Sequence, residues 1–205
     1  MKIICVGTNY ADHNKEDQHP LFNGEPVIFM KADSALLKDG KPFFIPDFSS
    51  EIQCESELVV RINKLGKHIA ARFASRYYDE VTIGVSFTAR DILDRLKKES
   101  MPWEISKSFD YSAVIGQFVS LSEMQKEIQC LDFCLNQNDS CVQQGNTRQM
   151  IFSVNEIIAY ISQFFTLKIG DLIFTGTPVG EGKVVVDDHL EGFLEGRKLL
   201  DFYVK

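Results

Sequence analysis

The sequence predicts a mixed α+β fold in which strands dominate and a few helices stand apart from them. Nine short apolar runs alternate with turn residues along the 205-residue chain, a pattern typical of strands. Helix signals occur in three segments, and they do not alternate regularly with the strands as in a doubly wound parallel sheet. The predicted strands are Ile3–Val6, Val27–Met30, Leu58–Ile62, Val81–Phe87, Ala113–Val119, Leu131–Leu135, Leu172–Thr175, Val184–Val186 and Leu199–Val204.

All three predicted helices start at polar residues that could cap them. The first is expected from about Tyr10 to Glu16, after the potential cap Asn9. The second is expected to start at Thr88 and to run to about Glu99, because Thr88-x-x-Asp91 has the spacing of a capping box.

The third helix carries the strongest signal. Ser153-x-x-Glu156 forms a second capping box, and Gly170 follows the expected end. An apolar stripe at helical spacing predicts a core helix, and it consists of Ile157, Ile158, Ile161, Phe164 and Phe165.

Composition and charge are those of an ordinary globular protein. Hydrophobic residues make up 44% of the chain and charged residues 25%, so we expect a single domain over residues 1–205 with a sizeable core. The formal net charge is -7, and without a long basic block a nucleic-acid partner is not expected. No segment has the length and apolarity of a membrane span, so no membrane partner is expected either.

The cysteines and the N-terminal residues indicate a cytoplasmic protein. Residues 1–7 lack the apolar stretch of a signal peptide. The five cysteines are odd in number and lack paired C-x-x-C spacing, which argues against a disulfide framework and against a zinc ribbon. They are Cys5, Cys54, Cys130, Cys134 and Cys141, and we expect them to be core or incidental thiols.

Two glutamates one residue apart, Glu55 and Glu57, form the candidate metal site. In a strand they point to the same face together with Val59 and Arg61, so both carboxylates can converge on one cation. A ligand set of oxygens suits Mg²⁺, Mn²⁺ or Ca²⁺ rather than zinc. Spacing alone leaves a second interpretation open, a solvated strand face on which Arg61 is the salt partner of the acids.

A series of motifs along the chain resembles the fumarylacetoacetate hydrolase family. In order they are Gly7-Thr8-Asn9-Tyr10-Ala11-Asp12-His13 followed by Glu16, Pro26-Val27-Ile28-Phe29-Met30-Lys31, Glu55-x-Glu57, Thr88-Ala89-Arg90-Asp91, Pro102-Trp103, Lys107-Ser108-Phe109, Met150-Ile151-Phe152-Ser153, and Gly170-Asp171 running into Thr175-Gly176-Thr177-Pro178. The resemblance covers nearly the whole chain, and the compact acylpyruvase and oxaloacetate decarboxylase subgroup is the most similar. It implies a mixed β-roll core and a homodimer.

The family pattern implies a metal held by Glu55, Glu57 and an aspartate just before the Thr-Ala-Arg-Asp segment. Here Ser86 stands at that position, so the ligand set loses one negative charge, although a water held by Ser86 could complete a Mg²⁺ shell. Two further departures are Gln53-Cys54, where relatives often have histidine, and Leu93, where a glutamine is common.

The same resemblance implies a general base and its orienting acid, and the residues suggest the substrate anchors. His13, oriented by Glu16, would act as general base, whereas the residues alone also allow a solvated surface pair. Arg90 and Lys107 are candidate partners of a substrate carboxylate, with Lys107 also taking part in catalysis. Either cation could instead neutralise a neighbouring aspartate. Thr177, in a strand-to-turn corner, would receive an oxyanion or carboxylate, and a plain turn is the alternative.

These features predict metal-assisted hydrolysis or decarboxylation of a small 2-oxo or 1,3-dicarbonyl acid, of the acylpyruvate or oxaloacetate type. An isomerase or decarboxylase of unsaturated dioic acids is an alternative that the same scaffold supports. A catalytically impaired oxo-acid-binding protein is another, because of Ser86. No dinucleotide or phosphate-loop motif is present, so no nucleotide cofactor is expected.

Overall fold

The computed structural model describes residues 1–10 and 24–205, which form two β-sheets and three α-helices, numbered here in chain order. The strands are β1 (Ile3–Gly7), β2 (Val27–Lys31), β3 (Leu36–Leu37), β4 (Ile52–Ile62), β5 (Tyr78–Ala89), β6 (Ala113–Ile115), β7 (Val119–Ser120), β8 (Asp132–Gln137), β9 (Ser140–Asn146), β10 (Leu172–Phe174), β11 (Gly182–Lys183), β12 (His189–Leu194) and β13 (Arg197–Tyr203). The helices are α1 (Arg90–Lys98), α2 (Glu104–Lys107) and α3 (Val154–Phe164). Short 3₁₀ turns cover Asp33–Ala35, Ala71–Arg76, Leu121–Glu123, Ile128–Cys130 and Thr147–Gln149.

The larger sheet is mixed and contains nine strands. Seven of them follow the order β2-β1-β10-β4-β5-β6-β3, while β11 pairs with β4 and β7 pairs with β5. Strand β1 runs parallel to β10 and β3 runs parallel to β6, and the other pairs are antiparallel. The predicted α+β class with a mixed sheet and few helices is therefore confirmed.

The smaller sheet is antiparallel, in the order β13-β12-β8-β9, and it covers one face of the larger sheet. The main apolar core includes residues of both sheets, among them Leu58 and Ile83 from one and Leu190 and Phe202 from the other. The sheets approach closely at Gly192, where an added Cβ would lie 2.8 Å from Ile83 Cγ2. A larger residue there would force the sheets apart.

Strand β4 separates the core from the face that carries the glutamates. Leu58, Val60 and Ile62 lie in the main core, as the alternation predicts. Val59, two residues after Glu57, belongs to a smaller apolar cluster on the opposite face, together with Phe174 of the adjacent β10 and Cys5 of β1. The two faces of β4 therefore have different roles, one in packing and one in the candidate site.

Eight of the nine predicted strand segments coincide with strands, and one does not. Val184–Val186 follows β11 but lies outside it, because the Val185 N–H donates to the Asp188 carboxylate in a turn (2.7 Å). The segment Ala113–Val119 is divided into β6 and β7, since Gly116 and Gln117 bond to Ile83 and Leu199 between them. Apolar residues alone did not distinguish a strand from a turn held by a buried carboxylate.

The predicted second helix is present, but its capping box is not. Helix α1 has Ala89 as its N-cap without a side-chain cap bond, because Thr88 still belongs to β5. Asp91 binds the loop before β4 instead, through Ser49 and Ser50.

The third helix begins as predicted, with both bonds of the Ser153–Glu156 capping box present. Its apolar stripe is narrower than expected, because Phe164 is 58% exposed. The helix predicted from about Tyr10 to Glu16 falls mostly outside the described residues. In the part of the chain that is described, no helix is long and apolar enough to cross a membrane.

Candidate active site

The pairing of β4 with β5 brings the candidate metal ligands to one face of the larger sheet. Glu55 lies directly opposite Ser86, and Glu57 lies opposite Gly84. Directly opposed residues of an antiparallel pair point to the same side, so Glu55, Glu57 and Ser86 share a face. Gly84 keeps the space beside Glu57 compact, since an added Cβ would lie 2.6 Å from Val59 Cγ2.

Glu57 is buried, and a backbone N–H group binds its carboxylate. Its Oε2 accepts a hydrogen bond from the Gly176 N–H at 2.6 Å. Burial, and to a smaller extent the neighbouring Glu55 carboxylate, raise the pKa of Glu57 to about 8. Gly176 has a φ of +98°, and its Cβ position is only 2.7 Å from Asn9 Cβ, so only glycine fits this turn.

Asn9, the expected helix cap, holds this corner together. Its Nδ2 donates to the carbonyls of Thr175 (2.8 Å) and Phe152 (3.1 Å), and its Oδ1 accepts from the Phe152 N–H (2.9 Å). The side chain thereby joins the segment of Phe152 to Thr175, the residue just before the turn that reaches Glu57.

Glu55 forms an ion pair with Lys107, the last residue of α2. Lys107 Nζ lies 3.1 Å from Glu55 Oε2 and 3.2 Å from Oε1, and it also donates to Thr88 Oγ1 at 2.7 Å. Both charged side chains are largely buried. The neighbouring-aspartate alternative for Lys107 is therefore wrong, and this cation lies beside the carboxylate pair.

Lys31 lies beneath Lys107 and was not recognised as a site residue from the sequence. Its Nζ donates to Phe87 O (3.1 Å), to Ser112 Oγ (3.2 Å) and to Lys107 O. Burial lowers its pKa to about 8. The sequence contains one signal for this residue, a lysine at the end of an apolar strand. It did not show that the lysine side chain points to a buried face of that strand.

Ser86 is fully buried, and its Oγ makes no hydrogen bond with the described residues. Two carboxylates and an unbonded hydroxyl on one face are hard oxygen donors of the type that binds Mg²⁺, Mn²⁺ or Ca²⁺. The residues therefore fit a divalent cation in donor type. They offer it less negative charge than three carboxylates would, and Lys107 already neutralises part of that charge.

A cavity of about 340 Å³ opens above the two carboxylates. All three predicted substrate anchors reach its wall, namely Arg90, Lys107 and Thr177. Arg90 also pairs with Asp94 one turn along α1, at 3.0 Å, rather than with Asp91. The wall further contains Val6, Gly7, Thr8, Val27, Phe29, Leu93, Lys97, Trp103 and Glu181, of which Lys97 and Glu181 were missed from the sequence.

His13 and Glu16, the predicted general base and its orienting acid, lie outside the described residues, and their roles stay predictions. Arg61, the alternative salt partner of the glutamate pair, bonds to Glu80 instead and lies 4.3 Å from the centre of the Phe118 ring. It lines a larger cleft of about 980 Å³ that lacks Glu55 and Glu57. The interpretation of a solvated strand face is therefore wrong for the end of β4 that carries the glutamates.

Another group of potential metal ligands in the described part of the chain lies on the smaller sheet, at His189, Glu191 and Asp201. Lys198 Nζ lies 3.0 Å from Glu191 Oε1 and 2.7 Å from Asp201 Oδ2. This lysine already supplies the countercharge, so the group is explained as a surface ion-pair network.

Comparison with known proteins gives consistent matches. The family model described as fumarylacetoacetate (FAA) hydrolase C-terminal matches residues 2–201. The chain is 37% identical over 203 residues to the mitochondrial oxaloacetate tautomerase FAHD1 of Mus musculus, covering 99% of this chain and 91% of the relative. It is 35% identical over 198 residues to the oxaloacetate tautomerase YcgM of Escherichia coli K12, covering 97% and 90%.

Among solved structures, the chain is similar to the fumarylpyruvate hydrolase from Pseudomonas aeruginosa, a complex with Mn²⁺ and pyruvate. The TM-score is 0.92 at 32% sequence identity, with 100% of this chain and 89% of that chain covered. The family match, these relatives and the mixed-sheet architecture agree. The chain belongs to the fumarylacetoacetate hydrolase family.

Proposed function

We propose that this protein is an enzyme that converts a small 2-oxo or 1,3-dicarbonyl acid, of the oxaloacetate or acylpyruvate type, with the help of a divalent cation. The observation that carries the proposal is the position of Glu55 and Glu57 on one face of β4, at the floor of a cavity whose wall includes Arg90, Lys107 and Thr177. The names of the relatives, two oxaloacetate tautomerases and a fumarylpyruvate hydrolase bound to Mn²⁺ and pyruvate, support the same substrate class.

Hydrolysis, decarboxylation and tautomerisation of such acids share one chemical demand. Each reaction forms or protonates an enolate next to the 2-oxo group, so each needs positive charge near the same oxygen. Glu55, Glu57 and Ser86 would hold Mg²⁺, Mn²⁺ or Ca²⁺. When bound, the cation would polarise the 2-oxo group and stabilise the enolate charge.

The other residues would bind and orient the acid. Lys107 would leave its ion pair with Glu55 for the substrate carboxylate, and it would offer a point charge and a proton donor beside the reacting atoms. Arg90 would bind a carboxylate through its guanidinium, and Thr177 would donate its hydroxyl. His13, oriented by Glu16, would activate water in the hydrolytic reaction.

The cavity walls favour a small substrate and a site protected from water. Its volume, about 340 Å³, is near the lower end of small-molecule pockets. Phe29, Leu93 and Trp103 contribute apolar surface, which strengthens electrostatic interactions with a bound acid.

A second candidate is isomerisation of an unsaturated dioic acid. The 5-carboxymethyl-2-hydroxymuconate delta-isomerase structure from Mycobacterium smegmatis is similar, with a TM-score of 0.85 at 27% identity, covering 99% of this chain and 77% of that chain. Arg90 and Lys97 lie on the wall and could receive a second carboxylate. Assay of an unsaturated dioic acid beside oxaloacetate separates the two candidates.

A third candidate is an oxo-acid-binding protein with impaired catalysis. Ser86 in place of a carboxylate and the Lys107–Glu55 ion pair both weaken cation binding, and these two observations favour it. Such a protein would bind oxalate or pyruvate without turning over a substrate.

The proposal is tested by measuring pyruvate release from oxaloacetate and acylpyruvates, and oxaloacetate enol–keto exchange, with Mn²⁺ or Mg²⁺. We expect metal-dependent turnover that falls by about 10–100-fold or more in Glu57→Gln, since one of the carboxylates that would hold the cation is lost. Glu80→Gln, on β5 beside Arg61, is the matched control and should keep full activity. Absence of metal-dependent turnover of every substrate contradicts the proposal.

We also propose a domain organisation, an oligomeric state and a compartment. Residues 1–205 would form one catalytic domain, the chain would pair as a homodimer, and it would act in the cytoplasm, where its five free cysteines would stay reduced. Light scattering of the purified protein tests the dimer.

A further inference from the structure

Gln143 connects the smaller sheet to the candidate site. It lies on β9, and its side chain is 2% exposed. Gln143 Oε1 accepts a hydrogen bond from the Ser56 N–H at 2.7 Å. Gln143 Nε2 donates to Thr177 Oγ1 at 3.0 Å and to Pro178 O at 3.1 Å.

These bonds determine the orientation of the Gln143 amide, that is, which partners face its oxygen and which face its nitrogen. The Ser56 N–H is a backbone donor and requires the amide oxygen, and Pro178 O is an acceptor and requires the amide nitrogen. Thr177 Oγ1 therefore receives an N–H from Gln143. Because Ser56 lies between Glu55 and Glu57, one buried side chain contacts both the strand of the carboxylate pair and the hydroxyl at the cavity wall.

Close backbone packing holds Gln143 in this place. Gly180 lies against β9, and an added Cβ there would be 2.8 Å from Val142 O and 3.3 Å from Gln143 Cγ. At Gly145, an added Cβ would lie 3.0 Å from Pro178 Cγ. The loop that carries Thr177 therefore rests directly on the strand that carries Gln143.

We propose that Gln143 is a positioning residue that orients the Thr177 hydroxyl to donate its hydrogen to an anionic substrate in the cavity. The inference rests on the proposed function, because it needs an oxo acid in this site. The amide N–H occupies one lone pair of Oγ1. The hydroxyl itself donates to Pro178 O at 3.3 Å, a long hydrogen bond to a carbonyl that also accepts from Gln143 Nε2, so an anionic ligand in the cavity would take this hydrogen in its place.

A double-mutant cycle on oxalate binding tests this role. Oxalate affinity is measured by calorimetry with Mn²⁺ for wild type, Gln143→Glu, Thr177→Val and the double variant. A glutamate at position 143 offers only acceptors, so the Thr177 hydroxyl would turn and donate to it. We expect each single variant to weaken oxalate binding about tenfold, and the double variant to be at most about twofold weaker than either.

Additive losses in the double variant overturn the inference, because Gln143 would then act on the ligand independently of Thr177. An unchanged affinity in Gln143→Glu overturns it as well. The matched control is Gln144→Glu, which places the same charge on the exposed side of β9 and should leave oxalate affinity unchanged.

Gln143→Met covers the case in which a buried glutamate prevents folding, since methionine keeps the volume but makes neither bond. It should reproduce the loss and the coupling to Thr177. If both variants at position 143 fail to fold, the residue serves the fold rather than the ligand and the inference is overturned. If wild type binds no oxalate with Mn²⁺, the proposed function and this inference fail together. If wild type binds and the cycle is additive, only the inference fails.

Discussion

A serine at position 86 leaves Glu55 and Glu57 to provide the negative charge for a cation. Lys107 binds Glu55, and Lys31 lies below with its charge buried. A cation must therefore compete with Lys107 for Glu55, and its affinity depends on how many carboxylates face it.

Replacing Ser86 with aspartate should restore a third acidic ligand. We expect Ser86→Asp to bind Mn²⁺ about 10–100-fold more tightly than wild type, as measured by calorimetric titration. Without a cation the variant should unfold at a lower temperature, because a third carboxylate repels the buried pair. Ser140→Asp, at the exposed first residue of β9, is the control. Equal Mn²⁺ affinity in wild type and Ser86→Asp would contradict a role for position 86 in the ligand set.

Lys107→Met tests separately the binding of the oxo acid and the binding of the divalent metal ion. The change removes the ion pair with Glu55 and the cationic partner of the substrate carboxylate. We expect oxalate affinity to fall at least about tenfold, while Mn²⁺ affinity stays the same or rises because a competitor is lost. Calorimetry measures both affinities, with Lys98→Met on α1 as control. Loss of Mn²⁺ binding together with oxalate would show that Lys107 supports the fold of the site instead.

The sequence predicted the shared face of Glu55 and Glu57, because strand alternation depends only on local spacing. It also named Arg90, Lys107 and Thr177 as anchors of one substrate carboxylate. It did not predict Lys31, Gln143 or the Lys107–Glu55 ion pair. Those contacts join residues that are far apart in sequence, and they depend on strand register, which local patterns do not specify.

At the scale of elements, helix α3 and strand β4 were predicted well because capping and alternation agree with burial. Thr88 was misassigned as a helix cap because its spacing to Asp91 fits a capping box, whereas its hydroxyl accepts from Lys107 within β5. The four-residue helix α2 gave no periodic signal, since it is barely one turn long. Tertiary contacts decided both cases.

Asp91 ties α1 to the loop that precedes β4. Burial alone would raise its pKa, but hydrogen bonds from Ser49, Ser50 and the Ile92 N–H outweigh it and lower the pKa to about 2. A carboxylate with a lowered pKa in the folded state stabilises that state above its unfolded pKa, near 3.8, and this contribution is lost as the pH falls towards 2.

Asp91→Asn should therefore destabilise the protein near neutral pH and have little effect near pH 2. The unfolding temperature should fall by roughly 2–4 °C for each kcal/mol lost. Urea unfolding between pH 7 and pH 2 measures the difference, with Asp79→Asn, exposed on β5, as control. A difference that does not change with pH would contradict the assigned role of the charge.

At the scale of the whole molecule, the smaller sheet covers the core and also contacts the candidate site. It packs on one face of the larger sheet, and through Gln143 it reaches the strand and loop that carry Glu57 and Thr177. The opposite face of β4 holds the carboxylates and the cavity. The fold class depends on local strand and helix patterns, which the sequence shows. The site depends on contacts between the two sheets, which only the three-dimensional structure shows.

A crystal structure with Mn²⁺ and oxalate, with data collected at a wavelength where manganese scatters anomalously, tests the central claim most directly. We predict one anomalous peak bound to the carboxylates of Glu55 and Glu57, with oxalate in the cavity and Lys107 moved from Glu55 to the ligand. An absence of anomalous density at this pair, with Lys107 still bound to Glu55 and oxalate elsewhere, would contradict the claim that these residues form a metal-assisted oxo-acid site.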